Sequence, residues 1–391
     1  MSRRRALVYV QHLLGIGHLK RAVTLAKALA SNGVEVTLVS GGFEVAGLAP
    51  EDLSVVQLPP AGAADSSFKV LLDAAGKPID ARWKSQRRDA LLATWRSVAP
   101  HALVLELFPF GRRQMRFELL PLLEAARAAP QRPLIVSSVR DVLGGGQGNP
   151  QRQDEMLATF EQFFDHALVH GDPALIPFER TFRHAGRIAQ RLHYTGYIVD
   201  STRAPGRDAR AGEGEVIVSA GGGAVGQRVL ETAIRARPLS SLADRTWRVL
   251  AGVNVEPAGY AALEKLAASI GNGRVLIERS RRDFTTLLAN CALSISQSGY
   301  NTTMETLQAG ARAVAVPFAG GGEIEQTMRA RLLAERGLIE VLEETALAPE
   351  SLAAAADRAA RRGRSSAKPV DLGGAERGAQ LLGRWISELH W

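Results

Sequence analysis

One histidine stands in a setting that suits proton transfer. The segment QHLLGIGHLKRA (residues 11–22) follows the apolar run Ala6–Val10 and contains Gly15, Gly17 and His18. Glycines allow a sharp turn between a strand and a helix, so the pattern predicts His18 at a helix start. A helix N-terminus lowers the pKa of an imidazole because it disfavours the cation. This favours His18 as a general base, with helix capping and phosphate binding by the imidazolium as alternatives.

A carboxylate is the second candidate for the base. Glu106 stands near the end of a predicted strand, Ala102–Leu107, and just before Phe108 and Pro109. We expect it either to take the proton itself or to orient His18. His12 is instead expected to be packed or hydrogen-bonded.

A glycine-rich loop in the second half of the chain suits an anion. The loop SAGGGAVGQ (residues 219–227) follows a predicted strand and contains Gly222 and Gly223. Glycines let the backbone approach an anion closely, and the helix that follows presents free N–H groups and its positive end. A tight turn without a ligand is the alternative.

A second loop of this kind carries hydroxyl groups. In ISQSGYNTTMETLQAG (residues 295–310) a strand passes through a Ser-Gly turn into a helix. The groups that could face a diphosphate are Ser298 Oγ, the N–H of Gly299 and the hydroxyls of Thr302 and Thr303. Glu305, one turn into the helix, suits a ribose diol, or simply complements the helix dipole.

A third loop could read a sugar. PFAGGGEIEQTMRA (residues 317–330) runs into a helix with Glu325 and Gln326 near its start. Adjacent side chains that accept and donate hydrogen bonds can discriminate sugar hydroxyls. The alternative is an ordinary solvated helix start.

The elements that carry these residues alternate between strands and helices. Apolar runs predict strands at Ala6–Val10, Val34–Ser40, Leu53–Leu58, Ala102–Leu107, Leu134–Val139, Ala167–His170, Tyr194–Ile198, Glu215–Ser219, Trp247–Ala251, Arg274–Glu278, Ala292–Ser296 and Ala313–Pro317. Amphipathic spacing predicts helices at His18–Ser31, Gly226–Arg237, Glu256–Ser269, Asn301–Ala309, Glu323–Arg336 and Gly374–His390. Such alternation implies parallel sheets covered on both faces.

The polar stretch DSTRAPGRDARAGEG (residues 200–214) is typical of an interdomain linker. Regions on both sides of it open with a strand, a glycine-rich loop and a helix. We therefore predict the α/β class, with two Rossmann-like parallel-sheet domains, 1–199 and 215–373, facing each other across a cleft. The last helix, 374–391, is expected to pack back on the first domain.

Composition narrows the partners. The 391 residues carry a net charge of +8, which favours anionic partners such as nucleotide diphosphates or phospholipid headgroups. Nucleic acid is not expected, because its usual motifs are absent and aromatic residues make up 6%. The single cysteine, Cys291, favours a reducing compartment and hence a cytoplasmic location. The start imitates a signal peptide, but Gln11 and His12 split its apolar run.

The loop order resembles a known family. The run from Gln297 to Gly310, then VAVPF and a Glu-Gln helix, resembles the donor half of GT-B glycosyltransferases of family 28, which includes the enzyme that forms lipid II. The segment GIGHLKRA resembles the loop that opens their acceptor half. The runs LELFPFGRR, VHGDPALIPFE and YTGYIVD resemble a subgroup of predicted glycosyltransferases.

The resemblance implies roles for particular residues. Gly222, Gly223, Ser298 and Gly299 would hold the diphosphate, and Glu305 would hold the ribose. The backbone of 279–282, with Arg281, would line a uracil, and Glu325 and Gln326 would contact the hexose. His18 would lie near the reacting carbon. The chain departs from the family pattern at Arg329, where asparagine is common.

These residues together predict an inverting hexosyltransferase that uses a nucleotide sugar, UDP-linked by resemblance, and no further cofactor. No D-x-D motif occurs in the sequence, so we expect metal-independent transfer. Alternatives are a nucleotide-sugar 2-epimerase of the same fold, a non-catalytic UDP-sugar-binding protein and an NAD-dependent oxidoreductase. The last fits poorly because residue 20 is Lys where G-x-G-x-x-G needs Gly.

The acceptor is expected to be a glycan or a lipid-linked hydroxyl compound. A stretch that is both basic and aromatic, Ser67–Arg88, suits peripheral contact with an anionic membrane or a phosphorylated lipid. Its residues are Phe68, Lys69, Lys77, Arg82, Trp83, Lys84, Arg87 and Arg88. Three further arginines, Arg112, Arg113 and Arg116, follow the turn at Phe108. An ordinary solvated basic face is the alternative.

Overall fold

The computed structural model describes residues 4–48, 51–65, 68–144, 149–200, 209–220, 226–252, 255–320, 324–363 and 370–389. The chain forms two compact units, one made of Met1–Val199 with Val370–Trp391 and the other of Asp200–Pro369. Each unit is built around its own parallel β-sheet. The two sheets confirm the predicted α/β class.

The first unit contains a seven-stranded sheet and a short hairpin. Its strands are β1 (Arg5–Val10), β2 (Glu35–Ser40), β3 (Ser54–Gln57), β4 (Gly62–Ala63), β5 (Leu71–Leu72), β6 (Ala102–Glu106), β7 (Leu134–Arg140), β8 (His166–His170) and β9 (Leu192–Tyr194). The sheet order is β3-β2-β1-β6-β7-β8-β9, and β4 pairs antiparallel with β5. Strand β1 lies inside the sheet, which is why its residues are almost all apolar and buried.

Four helices of the first unit follow these strands: α1 (Gly17–Ser31), α2 (Ala81–Val98), α3 (Arg116–Arg127) and α4 (Pro150–Phe163). Helix α1 buries Leu19, Val23 and Ala26 against the sheet, as the spacing predicts. Helix α2 is not predicted from the sequence. Its buried residues are Arg87 and Leu91, and most of its other residues are polar, so it has no clear apolar face. Periodicity is a weak signal in such a helix.

The second unit repeats the plan with six strands. They are β10 (Val216–Ser219), β11 (Trp247–Leu250), β12 (Val275–Glu278), β13 (Leu293–Ser296), β14 (Ala313–Ala315) and β15 (Glu340–Val341), in the order β12-β11-β10-β13-β14-β15. The helices are α5 (Gln227–Ala236), α6 (Pro257–Ile270), α7 (Phe284–Asn290), α8 (Tyr300–Gln308), α9 (Glu325–Glu335) and α10 (Pro349–Arg361).

The last helix, α11 (Gly374–Ser387), lies in the first unit against α1. Leu382, Trp385 and Ile386 join the apolar cluster that α1 also enters. Gly378 allows the close approach, since a Cβ there would lie 3.1 Å from a methyl of Leu25. The chain thus returns to the sheet in which it began.

The structure corrects one predicted strand. Tyr194–Ile198 is not a strand, because β9 ends at Tyr194. Gly196 then adopts a φ of 86°, and the backbone N–H of Tyr197 donates to the carbonyl oxygen of Asp371. The apolar residues after Tyr194 therefore pack against the segment before α11.

Candidate functional site

The first unit brings His18 and Glu106 together at the carboxyl edge of its sheet. Strands β1 and β6 pair in parallel, with Tyr9 opposite Leu105. The loop after β1 therefore lies beside Glu106, the last residue of β6. His18, the second residue of α1, places its Nδ1 atom 2.7 Å from Glu106 Oε1. Two residues 88 positions apart thus form one site.

Arg21 completes this cluster from the next turn of α1. Its terminal nitrogen Nη2 lies 2.5 Å from Glu106 Oε1 and 3.1 Å from His18 Nδ1. The side chains of Arg21 and Glu106 are 2% and 1% exposed, whereas that of His18 is 16% exposed. Because desolvation of a carboxylate is costly, Glu106 needs such partners to stay ionised.

The carboxylate determines which nitrogen of His18 carries the proton. An ionised carboxylate accepts hydrogen bonds and cannot donate, so His18 Nδ1–H donates to Glu106 and Nε2 keeps its lone pair. Among the described residues, no partner contacts Nε2. The site therefore offers one imidazole nitrogen to an incoming group.

The pKa shifts in this cluster favour an ionised Glu106 and a neutral His18. Burial lowers the pKa of His18 below its ordinary 6.5, and Arg112 and Arg140 lower it further, against the raising effect of Glu106. Burial raises the pKa of Glu106, but His18 and Arg21 lower it more, and it lies well below its ordinary value. At pH 7 the imidazole is thus a neutral base.

Arg112 links the turn after β6 to the loop after β1. Its Nε donates to the carbonyl oxygen of Gln11 over 2.7 Å. Its backbone is left-handed, with a φ of 57°, and Leu107 in the same turn has a φ of 68°. Such conformations are uncommon for residues with a side chain, and they concentrate at functional sites.

The loop before His18 depends less on glycine than expected. Gly15 has open space where a Cβ would lie, and its φ is not in the left-handed region. Gly17 is the first residue of α1. His12 is buried with its ring against Gly42, where a Cβ would lie 2.4 Å away. Close packing thus requires glycine at position 42, which the sequence does not single out.

The second predicted anion loop, within residues 295–310, leads into the start of α8. Ser298 is buried with a left-handed φ of 64°, and its Oγ lies 3.1 Å from Thr303 Oγ1. Gly299 is the N-cap, and no side chain caps the first-turn amides. Thr302 is half-buried in that turn, whereas Glu305 is buried in the next. Uncapped N–H groups of this kind suit an anion.

The residues predicted to read the sugar, Glu325 and Gln326, begin α9. Arg329 donates to Glu325 over 3.0 Å, and both side chains are buried. The Arg329 guanidinium lies 5.1 Å from the ring centre of Tyr300, which begins α8, so the two helix starts converge. Gln326 Oε1 accepts from the N–H of Phe318 over 3.0 Å. The amide NH₂ of Gln326 is then the group that can donate to a ligand.

Arg281 is committed to an ion pair. Its Nε and Nη2 donate to both carboxylate oxygens of Asp283, over 2.8 and 2.7 Å. This pairing raises the pKa of Arg281 above its ordinary value. The side chain thus serves the loop itself, while Gly222 and Gly223 lie outside the described residues.

Comparison with known proteins indicates the class of enzyme. Residues 278–371 match the glycosyltransferase family 28 C-terminal domain. The chain is a GT-B glycosyltransferase similar to family 28. This confirms the predicted resemblance and the predicted enzyme class. The search of curated proteins found no match to this chain.

Solved structures share the fold of this glycosyltransferase over nearly its whole length. The calicheamicin glycosyltransferase CalG4 is 16% identical over 99% of this chain and 98% of its own, with a TM-score of 0.62. MurG of Acinetobacter baumannii is 17% identical over 98% and 99%, with a TM-score of 0.60. The glycosyltransferase VinC, solved in complex with dTDP, is 15% identical over 98% and 96%, with a TM-score of 0.58.

Sequence reasoning missed Arg21 and Arg140 beside His18 in this glycosyltransferase, and it assigned Arg112 to a basic surface. Arg21 follows His18 by three positions, which places both on one face of α1. That spacing could have indicated its role. The spacing of Arg112 and Arg140 in the sequence gave no such indication, because only the turn after β6 and the pairing of β6 with β7 bring them near His18.

The predicted basic surface is smaller than its sequence suggests. Arg87 is fully buried, where it pairs with Glu118 over 2.7 Å and donates to the carbonyl oxygen of Gly41. Lys69, Lys77 and Arg82 are exposed. Arg87 therefore organises the core between α2 and α3. No helix among the described residues of this glycosyltransferase is long and apolar enough to cross a membrane.

Proposed function

We propose that this glycosyltransferase moves a hexose from a UDP-sugar to a hydroxyl acceptor with inversion at the sugar carbon. The observation that carries the proposal is the His18–Glu106 pair, which leaves His18 Nε2 unprotonated on a side chain that is 16% exposed. Nε2 takes the acceptor proton while the acceptor oxygen forms its bond to C1 of the sugar. The bond from C1 to the diphosphate oxygen breaks, and the nucleoside diphosphate leaves.

For the donor, the start of α8 supports a diphosphate site. Its first-turn amides are not capped by a side chain, and the hydroxyls of Ser298 and Thr302 stand at the same helix end. We assign the ribose to Glu305, the hexose to Glu325 and Gln326, and the base to the backbone of 279–282. The complex of VinC with dTDP shows that a protein of this fold holds a nucleoside diphosphate, which supports the class of donor.

We also propose that transfer needs no metal ion. In this proposal the helix end and its amides stabilise the charge on the leaving diphosphate, a role for which fixed dipoles are well suited. The sequence motif D-x-D, which would hold a divalent ion on the diphosphate, does not occur.

The acceptor is proposed to be a glycan or a lipid-linked compound of the cell envelope, met by a cytoplasmic enzyme at the membrane surface. The exposed Lys69, Lys77 and Arg82 support contact with anionic headgroups. Sedimentation with vesicles containing anionic lipid, compared with neutral vesicles, tests this contact. Equal recovery with both would contradict it.

The donor proposal is tested with a panel of nucleotide sugars. Thermal shift and mass spectrometry with UDP-, GDP-, dTDP- and ADP-sugars, with envelope extract as acceptor, should show stabilisation and turnover with a UDP-sugar, and equal turnover in EDTA. Loss of activity in EDTA would contradict metal independence. Stabilisation by NAD and by no UDP-sugar would overturn the proposed function.

A further inference from the structure

Arg112 differs from the other arginines near His18 because its terminal nitrogens are not engaged. Its Nε is held by the carbonyl oxygen of Gln11, but no described residue forms a hydrogen bond or ion pair with its two terminal amino groups. The neighbouring Arg21, by contrast, donates to Glu106. Arg112 is thus a half-buried guanidinium with a fixed position and two donor groups left to use.

Such a cation is costly unless a ligand neutralises it. Burial, with the nearby charges of Arg140 and Arg21, lowers the pKa of Arg112 to about 10, against the raising effect of Glu106. The group remains charged at neutral pH, so its desolvation is not relieved by deprotonation. Its left-handed backbone adds a local strain that the surrounding structure must outweigh.

The place of Arg112 relates it to the reacting groups. It follows β6, which ends in Glu106, and it contacts the residue after β1, whose loop leads to His18. Arg140 ends β7, the strand next to β6. The guanidinium therefore lies at the carboxyl ends of β1 and β6, and the charge of Arg140, at the end of the next strand, acts on it. Such strand ends are where α/β proteins bind their ligands.

We infer that Arg112 forms an oxyanion-binding position beside His18, which takes a phosphate or carboxylate group of a substrate. Guanidinium groups bind such anions through paired N–H donors, and the two terminal amino groups of Arg112 supply them. That the anion belongs to a substrate rests on the proposed function, whereas the binding itself does not. The anion comes either from the acceptor or from the diphosphate of the donor.

Binding is measured by NMR titration of the histidine-labelled protein with inorganic phosphate and, separately, with acetate at constant ionic strength. The ring signal of His18, identified by its loss in His18→Gln, should shift and saturate. In Arg112→Gln the Kd for the anion should rise at least tenfold. In the control Arg187→Gln, which alters an exposed arginine paired with Glu161, the Kd should stay within twofold.

Two further measurements keep the inference open to refutation. Arg112→Lys retains the charge, so it should bind the anion more weakly than the wild type and more tightly than Arg112→Gln. Thermal unfolding of each variant checks that it is folded. A wild-type His18 signal that does not respond, or an unchanged Kd in folded Arg112→Gln, would overturn the inference.

Titration with UDP separates the two sources. If the anion is the diphosphate of the donor, the Kd for UDP rises in Arg112→Gln by the same factor as the Kd for phosphate. If it belongs to the acceptor, the Kd for UDP stays within twofold while phosphate binding still weakens. Failure of the proposed function would instead appear in the wild type, as absent UDP binding and absent turnover, regardless of the result of the phosphate titration.

Discussion

The two units handle charge in different ways. In the first, His18, Glu106 and Arg21 contact one another directly, and His18 and Arg21 together hold the buried Glu106 ionised. In the second, the start of α8 presents amides and hydroxyls, while two arginines of the unit pair with carboxylates: Arg281 with Asp283, and Arg329 with Glu325. One region is an ionic cluster, and the other is an array of fixed dipoles.

In the proposed function the two regions have different tasks. A general base must lose and gain a proton at one atom, so its tautomer and pKa have to be set by charged neighbours. A diphosphate keeps its charge when it binds, so its site does not need to set the protonation of any group. The backbone amides at a helix N-terminus can bind such an anion. We therefore expect substitutions in the first unit to affect turnover and those in the second to affect donor affinity.

The largest effect should come from His18→Ala. Without Nε2 to accept the proton, kcat should fall by about 10²–10⁴-fold, because general base catalysis contributes that much. The Kd for UDP, measured by calorimetry, should stay within twofold. The control His184→Ala changes a histidine that pairs with Asp154 and should leave kcat unchanged. A loss of less than tenfold in His18→Ala would transfer the role of base to Glu106 or another group.

A smaller effect is expected from Arg21→Gln, about 10–100-fold in kcat/KM, as is usual for residues that orient a catalytic group. The pH profile makes the test specific. In the wild type burial lowers the pKa of His18 to about 3, so kcat/KM should stay level from pH 8 to well below pH 6.5 and fall only as the pH approaches that pKa. Because Arg21 Nη2 lies 3.1 Å from His18 Nδ1, removing its positive charge should raise the pKa of His18, and the acidic limb should then move to higher pH.

Arg21→Lys retains the charge, so it should keep much of the wild-type kcat/KM. Its acidic limb in the pH profile should lie close to that of the wild type. A profile of Arg21→Gln that overlays the wild type would show that Arg21 has no part in setting the protonation of His18. It would also remove the contrast between the two units, since the ionic cluster would then be merely structural.

The smallest effect should come from Glu305→Gln in the second unit. If Glu305 accepts hydrogen bonds from the ribose diol, the Kd for UDP should rise by about tenfold, as expected for hydrogen bonds to a charged group. The Kd for 2′-deoxy-UDP should change much less. In the control Glu335→Gln, at the exposed end of α9, the Kd for UDP and the Kd for 2′-deoxy-UDP should both be unchanged. Equal losses for both ligands would exclude Glu305 from ribose recognition.

Much of the fold could be predicted because its signals are local. Short apolar runs gave the interior strands such as β1 and β13, and the spacing of Leu19, Val23 and Ala26 gave α1. Helix α2 was missed because nearly all of its face is polar. The strand expected after Tyr194 was wrong, because apolar residues that pack against a distant segment look like a strand in the sequence.

By itself, the sequence determined the two parallel sheets, the helix start at His18 and the candidate residues of α8 and α9, since each depends on neighbours within a few positions. The tertiary structure decided how they are used. The pairing of β1 with β6 joins His18 to Glu106, and the packing of α2 on α3 buries Arg87. Charge and protonation depend on distance through space and on burial, and neither quantity is written in the order of the residues.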